Sequence, residues 1–125
     1  MLKIEKINSS ELEPLKSYLQ KYIFINNSTD HYVIRKEGKI IALTGIMWKH
    51  KKAIFKNHFV YPEHRRNGYY KRLLDYSIEL CKKKNIGIIE ANCTPMSVNR
   101  YLQLGAKIIK KFKMSGVVKV RLEVK

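Results

Sequence analysis

The sequence predicts an α/β fold built around one mixed β-sheet. Two observations support this class: segments with apolar residues at steps of three and four alternate with short apolar runs, and the resulting order is β-α-β-β-β-α-β-α-β-β. A strand, a helix and a strand over residues 53–93 favour a right-handed parallel crossover inside an otherwise largely antiparallel sheet. The length of 125 residues fits a single domain, residues 1–125.

The first half of the chain predicts four strands and one helix. The helix begins at Ser9 or Ser10, and its apolar face consists of Leu12, Leu15, Leu19 and Ile23. A polar loop follows at residues 26–30. The four strands cover residues 2–7, 31–35, 39–48 and 53–61. The second and third turn near Gly38, and the fourth ends before Pro62, which cannot donate a backbone hydrogen bond.

The second half predicts two helices and three strands. Apolar and aromatic residues at helical spacing indicate a helix of about four turns over residues 68–84. A strand at residues 86–93 follows. Thr94 as a side-chain cap and Pro95 as the first helical residue predict the start of the third helix, which ends at Gly105. The closing hairpin covers residues 106–114 and 117–125.

The composition predicts a basic, folded protein with an anionic ligand or partner. Twenty-six Lys and Arg residues against ten Asp and Glu give a net charge of +16. Cys81 and Cys93 form no CxxC pair and no cluster with His, which argues against a metal site and a disulfide framework. Apolar runs are shorter than the roughly 20 residues that span a bilayer, and no signal peptide is evident at residues 1–8. We therefore expect a cytoplasmic protein with free thiols and no membrane association.

The segment at residues 60–74, VYPEHRRNGYYKRLL, joins a strand to a helix through a basic turn that contains a glycine. Free N–H groups at a helix start suit a pyrophosphate, Gly68 permits close approach, and Arg65, Arg66 and Lys71 add positive charge. The alternative is a helix that simply follows a surface loop. The chain lacks GxGxxG and GxxxxGK[ST], which argues against a dinucleotide fingerprint and a Walker loop.

This segment resembles the acyl-CoA-binding motif of the GCN5-related N-acetyltransferases (GNAT family). The family motif, Gln or Arg, two residues, Gly, one residue, then Gly or Ala, matches Arg65-Arg66-Asn67-Gly68-Tyr69-Tyr70. Tyr70 departs from it. A second element, Ser97, Tyr101, Gly105 and Ala106, resembles the family's later Ala or Ser, Tyr and Gly pattern, although Ala106 replaces a common Phe. The two motifs cover residues 58–106.

The resemblance implies a GNAT-like sheet that splays between its two central parallel strands, which end at Val60 and near Cys93. Acetyl-CoA would lie in the splay and pass its acetyl group directly to an amine. Backbone groups of Phe59 and Val60 would bind pantetheine and polarise the thioester carbonyl. The other implied cofactor-binding residues are Arg65, Arg66, Asn67, Gly68, Tyr69, Tyr70, Lys71 and Thr94.

The resemblance also implies catalytic roles. Tyr101 would protonate the leaving thiolate as general acid; the alternative is a residue that only packs its helix on the sheet. Glu90 and His58 are the candidate general bases by position, and burial in an apolar strand could raise the pKa of Glu90. A covalent acyl-cysteine route through Cys93 is conceivable, but direct transfer is favoured because no His relay is evident.

The acceptor is not identified by the sequence. Basic runs at residues 49–52, 82–84 and 110–113 favour an acidic or nucleic-acid-associated acceptor, although solvated faces and coding bias could also produce them. A second class of function stays open: a basic nucleic-acid-binding module on the same fold with lost or altered catalysis, to which Tyr70 and Thr94 point. A monomer and a homodimer are equally compatible with the sequence.

Overall fold

A computed structural model describes residues 3–8, 10–12, 29–95 and 97–124. In this part of the chain seven strands form one mixed sheet in the order β1-β2-β3-β4-β5-β7-β6. The strands are β1 (Ile4–Ile7), β2 (Thr29–Lys36), β3 (Lys39–Lys49), β4 (Lys52–Val60), β5 (Ile88–Cys93), β6 (Lys107–Lys111) and β7 (Val118–Glu123). The helices are α1 (Tyr69–Lys83) and α2 (Val98–Gln103), and Pro62–His64 form a 3₁₀ turn. The predicted α/β class and mixed sheet are confirmed.

The N-terminal region is described in part. Residues 10–12 are helical, in agreement with the predicted first helix, while Leu15, Leu19, Ile23 and the loop residues 26–28 lie outside the described residues. The loop prediction is wrong for Thr29 and Asp30. Both belong to β2, because its antiparallel pairing with β3 continues to the pair Thr29 and Met47, and the Asp30 carboxylate accepts a hydrogen bond from Trp48 Nε1 at 2.9 Å.

A β-bulge bends β4 beside the cleft described below. Leu43 of β3 pairs with Phe59, and Gly45 pairs with Lys56, so two residues of β4 oppose Thr44. Such a bulge re-aims the side chains that follow it. As a result Phe59 packs in a cluster with Leu12 and Leu43, whereas Val60 packs with Leu73 of α1.

The parallel pairing of β4 and β5 is short. It runs from Lys52 beside Ile88 to Phe55 beside Ala91 and includes four residue pairs. Beyond Phe55, β4 continues to Val60, and beyond Ala91, β5 continues to Cys93, with no register between them in the described sheet. The two central strands therefore diverge toward their carboxyl ends, which confirms the predicted splay.

Helix α1 covers the sheet on one side of this splay. Leu73, Leu74, Ser77 and Cys81 are buried along one helical face, and the helix packs across β2, β3 and β4. The predicted bounds of 68–84 agree to within one residue at each end. The predicted start of the third helix is wrong: Thr94 accepts hydrogen bonds from the N–H groups of Ser97 and Val98 and begins a turn, so α2 starts at Val98.

Candidate functional site

The turn after β4 presents backbone donors at the start of α1. Gly68 has the left-handed φ of 80° and is the N-cap, and the first intrahelical bond joins the Arg72 N–H to the Gly68 carbonyl at 3.0 Å. The N–H groups of Tyr69 and Tyr70 therefore lack acceptors within the helix. Apart from its chain neighbours, no atom lies within 4 Å of a Cβ built on Gly68, so the space directly around this residue is open. This geometry suits an anion.

The basic side chains of the turn differ in what they contact. Arg65 Nε donates to the Val60 carbonyl at 2.9 Å, and its guanidinium lies 5.5 Å from the Phe59 ring. The Lys71 ammonium lies 2.7 Å from the Asp75 carboxylate. Arg66 is exposed. Arg65 thus fastens the turn to the end of β4, while Arg66 projects into solvent beside the helix start.

Asn67 stabilises the turn itself. Its side-chain Nδ2 donates to the His64 carbonyl at 3.1 Å, which closes the loop ahead of Gly68. Arg66 adopts a φ of 67° between extended Arg65 and this loop.

His58 and Tyr70 form a stacked pair at the splay. Their ring centroids are 3.7 Å apart and their planes are inclined by 7°. Both His58 ring nitrogens are inaccessible and have no hydrogen-bond partner within the described part of the chain. Burial lowers the pKa of His58 to about 3, despite a smaller opposite effect of the Tyr70 backbone. The imidazole is therefore neutral at physiological pH.

Tyr101 and Cys93 lie against this pair on the α1 side of the sheet. Tyr101 is 3% exposed and shares a buried cluster with Cys93 and Ala91, against which Tyr70 packs. Burial raises the pKa of Tyr101 well above its usual value, and the nearby Tyr70 adds to the shift. Burial also raises the pKa of the Cys93 thiol. A protonated phenol suits a proton donor, and a protonated thiol is a weak nucleophile.

Glu90 faces the opposite side of the sheet. Its neighbours Ile89 and Ala91 belong to the cluster with Leu74 of α1, and alternation along β5 directs Glu90 away from that helix. The two candidate bases, His58 and Glu90, are therefore on different faces, and His58 shares the face of Tyr101.

Three cations cover the Glu90 carboxylate. Arg121 donates to Oε2 through Nε at 2.9 Å and through Nη2 at 2.7 Å, and Lys52 and Lys119 lie 3.1 and 3.5 Å from Oε1. Burial raises the pKa of this carboxyl, but Arg121, Lys52 and Lys119 outweigh it and hold the pKa at about 2. The expectation of a raised pKa is wrong, because the 1% exposure of Glu90 reflects covering cations and not an apolar pocket.

Thr94 is exposed at the end of β5, where its N–H donates to the Ser97 hydroxyl at 3.0 Å. Sequence reasoning did not assign a role to Ser97, which connects this turn to the cleft: burial raises the pKa of Tyr70 to about 12 and raises that of Cys93, and hydrogen bonding to Ser97 offsets part of each shift. Lys52, Lys119 and Arg121 were also missed. Alternation along β7 places Lys119 and Arg121 on the face opposite to buried Val120 and Leu122, and that pattern could have indicated partners for Glu90.

Two kinds of feature are absent from the part of the chain that the structure describes. No helix there is long and apolar enough to cross a membrane. No three His, Cys, Asp or Glu side chains there come together as a group that could hold a metal ion.

Comparison with known proteins identifies a family by sequence and a fold by structure. A family model described as the acetyltransferase (GNAT) family matches residues 2–106. A search of curated proteins by sequence gives no match.

Several solved structures share the fold at low sequence identity. The ribosomal-protein-S18-alanine N-acetyltransferase from Escherichia coli superposes with a TM-score of 0.83 at 15% identity, over 100% of this chain and 95% of that one. A Bacillus subtilis acetyltransferase in complex with CoA has a TM-score of 0.70 at 17% identity, with 100% of both chains covered. N-acetylglutamate synthase from Neisseria gonorrhoeae, complexed with CoA and N-acetyl-glutamate, has a TM-score of 0.81 at 10% identity, over 100% of this chain and 35% of that one.

Proposed function

We propose that this chain, which belongs to the acetyltransferase (GNAT) family and is an N-acetyltransferase with an acyl-CoA donor, moves an acetyl group directly to an amine on an acidic acceptor. The observation that carries the proposal is the divergence of β4 and β5 beyond Phe55 and Ala91. It separates the ends of the two strands next to an anion-binding helix start and the buried phenol of Tyr101. One extended acyl-CoA molecule can then bind at the helix start and reach Tyr101 with its thioester.

The donor side of the proposed site uses backbone more than side chains. We assign the pyrophosphate to the N–H groups at the start of α1, with Arg66 as the exposed cation. The Val60 carbonyl accepts a hydrogen bond from Arg65, and this bond holds the end of β4 and the turn in a fixed relative position. Phe59 supplies backbone to the donor while its ring packs on the other face of the sheet.

The proposed reaction is a single acyl transfer. The amine nitrogen attacks the thioester carbonyl carbon, a C–N bond forms and the C–S bond breaks. Tyr101 donates its proton to the sulfur, and the proton lost from nitrogen passes to a base, directly or through water. His58 and Glu90 remain the proposed bases: both are unprotonated at neutral pH, and His58 lies on the face of Tyr101.

The proposed acceptor preference follows from charge on the sheet face opposite α1. Directly paired residues share a face, so Lys107 and Lys110 of β6 lie on the same side as their partners Arg121 and Lys119. Lys52 and Lys119 are paired with a single carboxylate, that of Glu90, which leaves this face with excess positive charge. Such a field attracts an acidic protein or a nucleic-acid-bound amine. The ribosomal-protein target named for the Escherichia coli neighbour is a precedent for a macromolecular acceptor on this fold.

The test is transfer of labelled acetyl from acetyl-CoA to a panel of amines. The panel includes an acidic peptide with a free N-terminus, a neutral peptide of equal length, a polyamine and charged transfer RNA. We expect the acidic or nucleic-acid-linked acceptors to react faster, with rates that fall as salt rises. The matched variants are K107S/K110S on the basic face and K36S/K39S in the β2–β3 hairpin, which remove equal charge. Equal rates for both variants and all acceptors would contradict the acceptor proposal.

Tyr101→Phe tests the chemistry separately. We expect kcat to fall about 10²-fold or more while the dissociation constant for acetyl-CoA stays unchanged, because the phenol acts on the leaving group. Cys93→Ala is the control and should keep most activity if transfer is direct. Salt-dependent binding of nucleic acid without any acetyl transfer would favour the binding-module alternative.

A further inference from the structure

We propose that the Tyr70 side chain occupies the donor cleft of the unliganded protein and sets its affinity for acyl-CoA, because the ring must leave before the donor's thioester arm can enter. The inference rests on the proposed function, in which the donor lies between β4 and β5. It concerns a residue of this chain that departs from the family motif.

The Tyr70 ring packs between the two central strands. The ring packs against the cluster that contains Ala91 and Cys93 of β5, and also against the cluster that contains Val60 of β4. The ring stacks on His58 of β4 and lies near Cys93 of β5, and both of these residues are beyond the point where the pairing of the two strands stops. A surface depression of about 450 Å³ is lined by Arg35, Ile41 and Tyr61 among others and includes neither Tyr70 nor Tyr101.

The stack on His58 is the second argument. With centroids 3.7 Å apart and nearly parallel planes, the two rings leave no room for a ligand between them. The bulge in β4 directs His58 to this side of the sheet, and α1 brings Tyr70 over it. Two polar nitrogens of His58 are covered without a hydrogen-bond partner in the described part of the chain. When the stack opens, a polar ligand or water can form hydrogen bonds with these nitrogens, which favours the open state.

The place of Tyr70 in the helix is the third argument. It is the second residue of α1, so its own N–H is one of the donors that the helix leaves unpaired. A ligand that uses this donor and extends between β4 and β5 meets the ring of the same residue, which packs there. A glycine or alanine there would present no ring. In this chain donor binding thus requires an open rotamer, and the apparent affinity falls by the population of that rotamer.

The proposal is tested by calorimetric titration of CoA into four proteins. Tyr70→Ala should bind CoA at least about tenfold more tightly than the wild type, because no ring has to be displaced. Tyr76→Ala removes a half-buried ring from the same helix, where it packs on Tyr32, and should bind like the wild type. Gly68→Asp places a negative charge at the helix start and should bind weakly.

A second measurement does not depend on a truncated variant. The ring current of Tyr70 shifts the His58 ring protons in the free protein, and we expect CoA to move these resonances toward unstacked values. Tyr70→Phe keeps the ring and should retain both the stacked shifts and the wild-type affinity to within a few-fold.

The outcomes separate the two proposals. Equal CoA affinity of folded Tyr70→Ala and wild type, with His58 resonances unmoved by CoA, would overturn the role of Tyr70 and leave the donor site intact. Absence of CoA binding in wild type and Tyr70→Ala alike would overturn both proposals. CoA binding by Tyr70→Ala and not by the wild type would show that the Tyr70 ring blocks the cleft almost completely.

Discussion

Glu90 and His58 are both unprotonated at neutral pH, for different physical reasons. Arg121 and two lysines hold the carboxylate ionised, whereas burial keeps the imidazole neutral. The expectation for Glu90 failed because its partners are remote in the chain: Arg121 is 31 residues away. The motif around Gly68 was found because its parts are neighbours in sequence.

Glu90→Gln should destabilise the protein at pH 7 by about 1–3 kcal/mol, since it leaves three cations converging on a neutral amide. The folded-state pKa of Glu90 is about 2 against an ordinary 4.5, so the charge stabilises the fold above pH 4.5 and this stabilisation is lost as the pH falls toward 2. Urea unfolding of wild type and variant should therefore differ at pH 7 and converge only as the pH approaches 2. A difference that is constant with pH would contradict this account.

His31 and the ring nitrogens of His58 are buried, which should make the protein sensitive to mild acid. Burial lowers the pKa of His58 to about 3 and that of His31 to about 4, both from 6.5. The unfolded chain then binds protons that the folded chain does not, so stability is full above pH 6.5 and falls below it, by up to about 1.4 kcal/mol per pH unit for each histidine. His58→Phe should give a shallower decline between pH 6.5 and 4 in urea unfolding. Parallel curves would rule out His58 as a contributor.

At the scale of elements, periodicity predicted the strands and α1 well, and failed where cross-strand contacts decide. Strand β2 begins at Thr29 because Thr29 pairs with Met47 of β3. Helix α2 begins at Val98 because the Thr94 carbonyl accepts the hydrogen bonds of the preceding turn. The bulge opposite Thr44 left no sign in the composition of β4. These features require the register of neighbouring strands, which a single strand's sequence does not contain.

The bulged region also constrains Gly45. A Cβ on Gly45 would lie 2.9 Å from a Thr29 methyl carbon, and 3.0 Å from both a His31 ring nitrogen and the Lys56 carbonyl oxygen. Gly45→Ala should therefore cost about 1–3 kcal/mol of unfolding free energy through overpacking. Gly87→Ala is the matched control, because nothing lies within 4 Å of a Cβ there. Equal midpoints for the two variants in urea unfolding would show that the sheet yields at Gly45.

At the scale of the whole molecule, the net charge of +16 bears on solubility as well as on partners. Strand β6 lies at the edge of the sheet and is exposed along its length, including Ile108 and Ile109. Lys107, Lys110 and Lys111 on the same strand oppose pairing with a second edge. The sequence predicted the positive charge but not that it would protect an edge strand, since the strand order that places β6 at the edge is a property of the assembled sheet.

The short junction between β4 and β5 joins two groups of strands. Strands β1 to β4 form one group and β5, β7 and β6 form the other, and four residue pairs from Lys52 to Phe55 join them within the described sheet. We expect local opening at this junction to separate the glycine turn from Tyr101, while the core cluster shared by the two groups holds the rest of the sheet together. Amide hydrogen exchange in Ala53 and Ile54 therefore reports on the breathing of the cleft, and a ligand that spans both groups slows it.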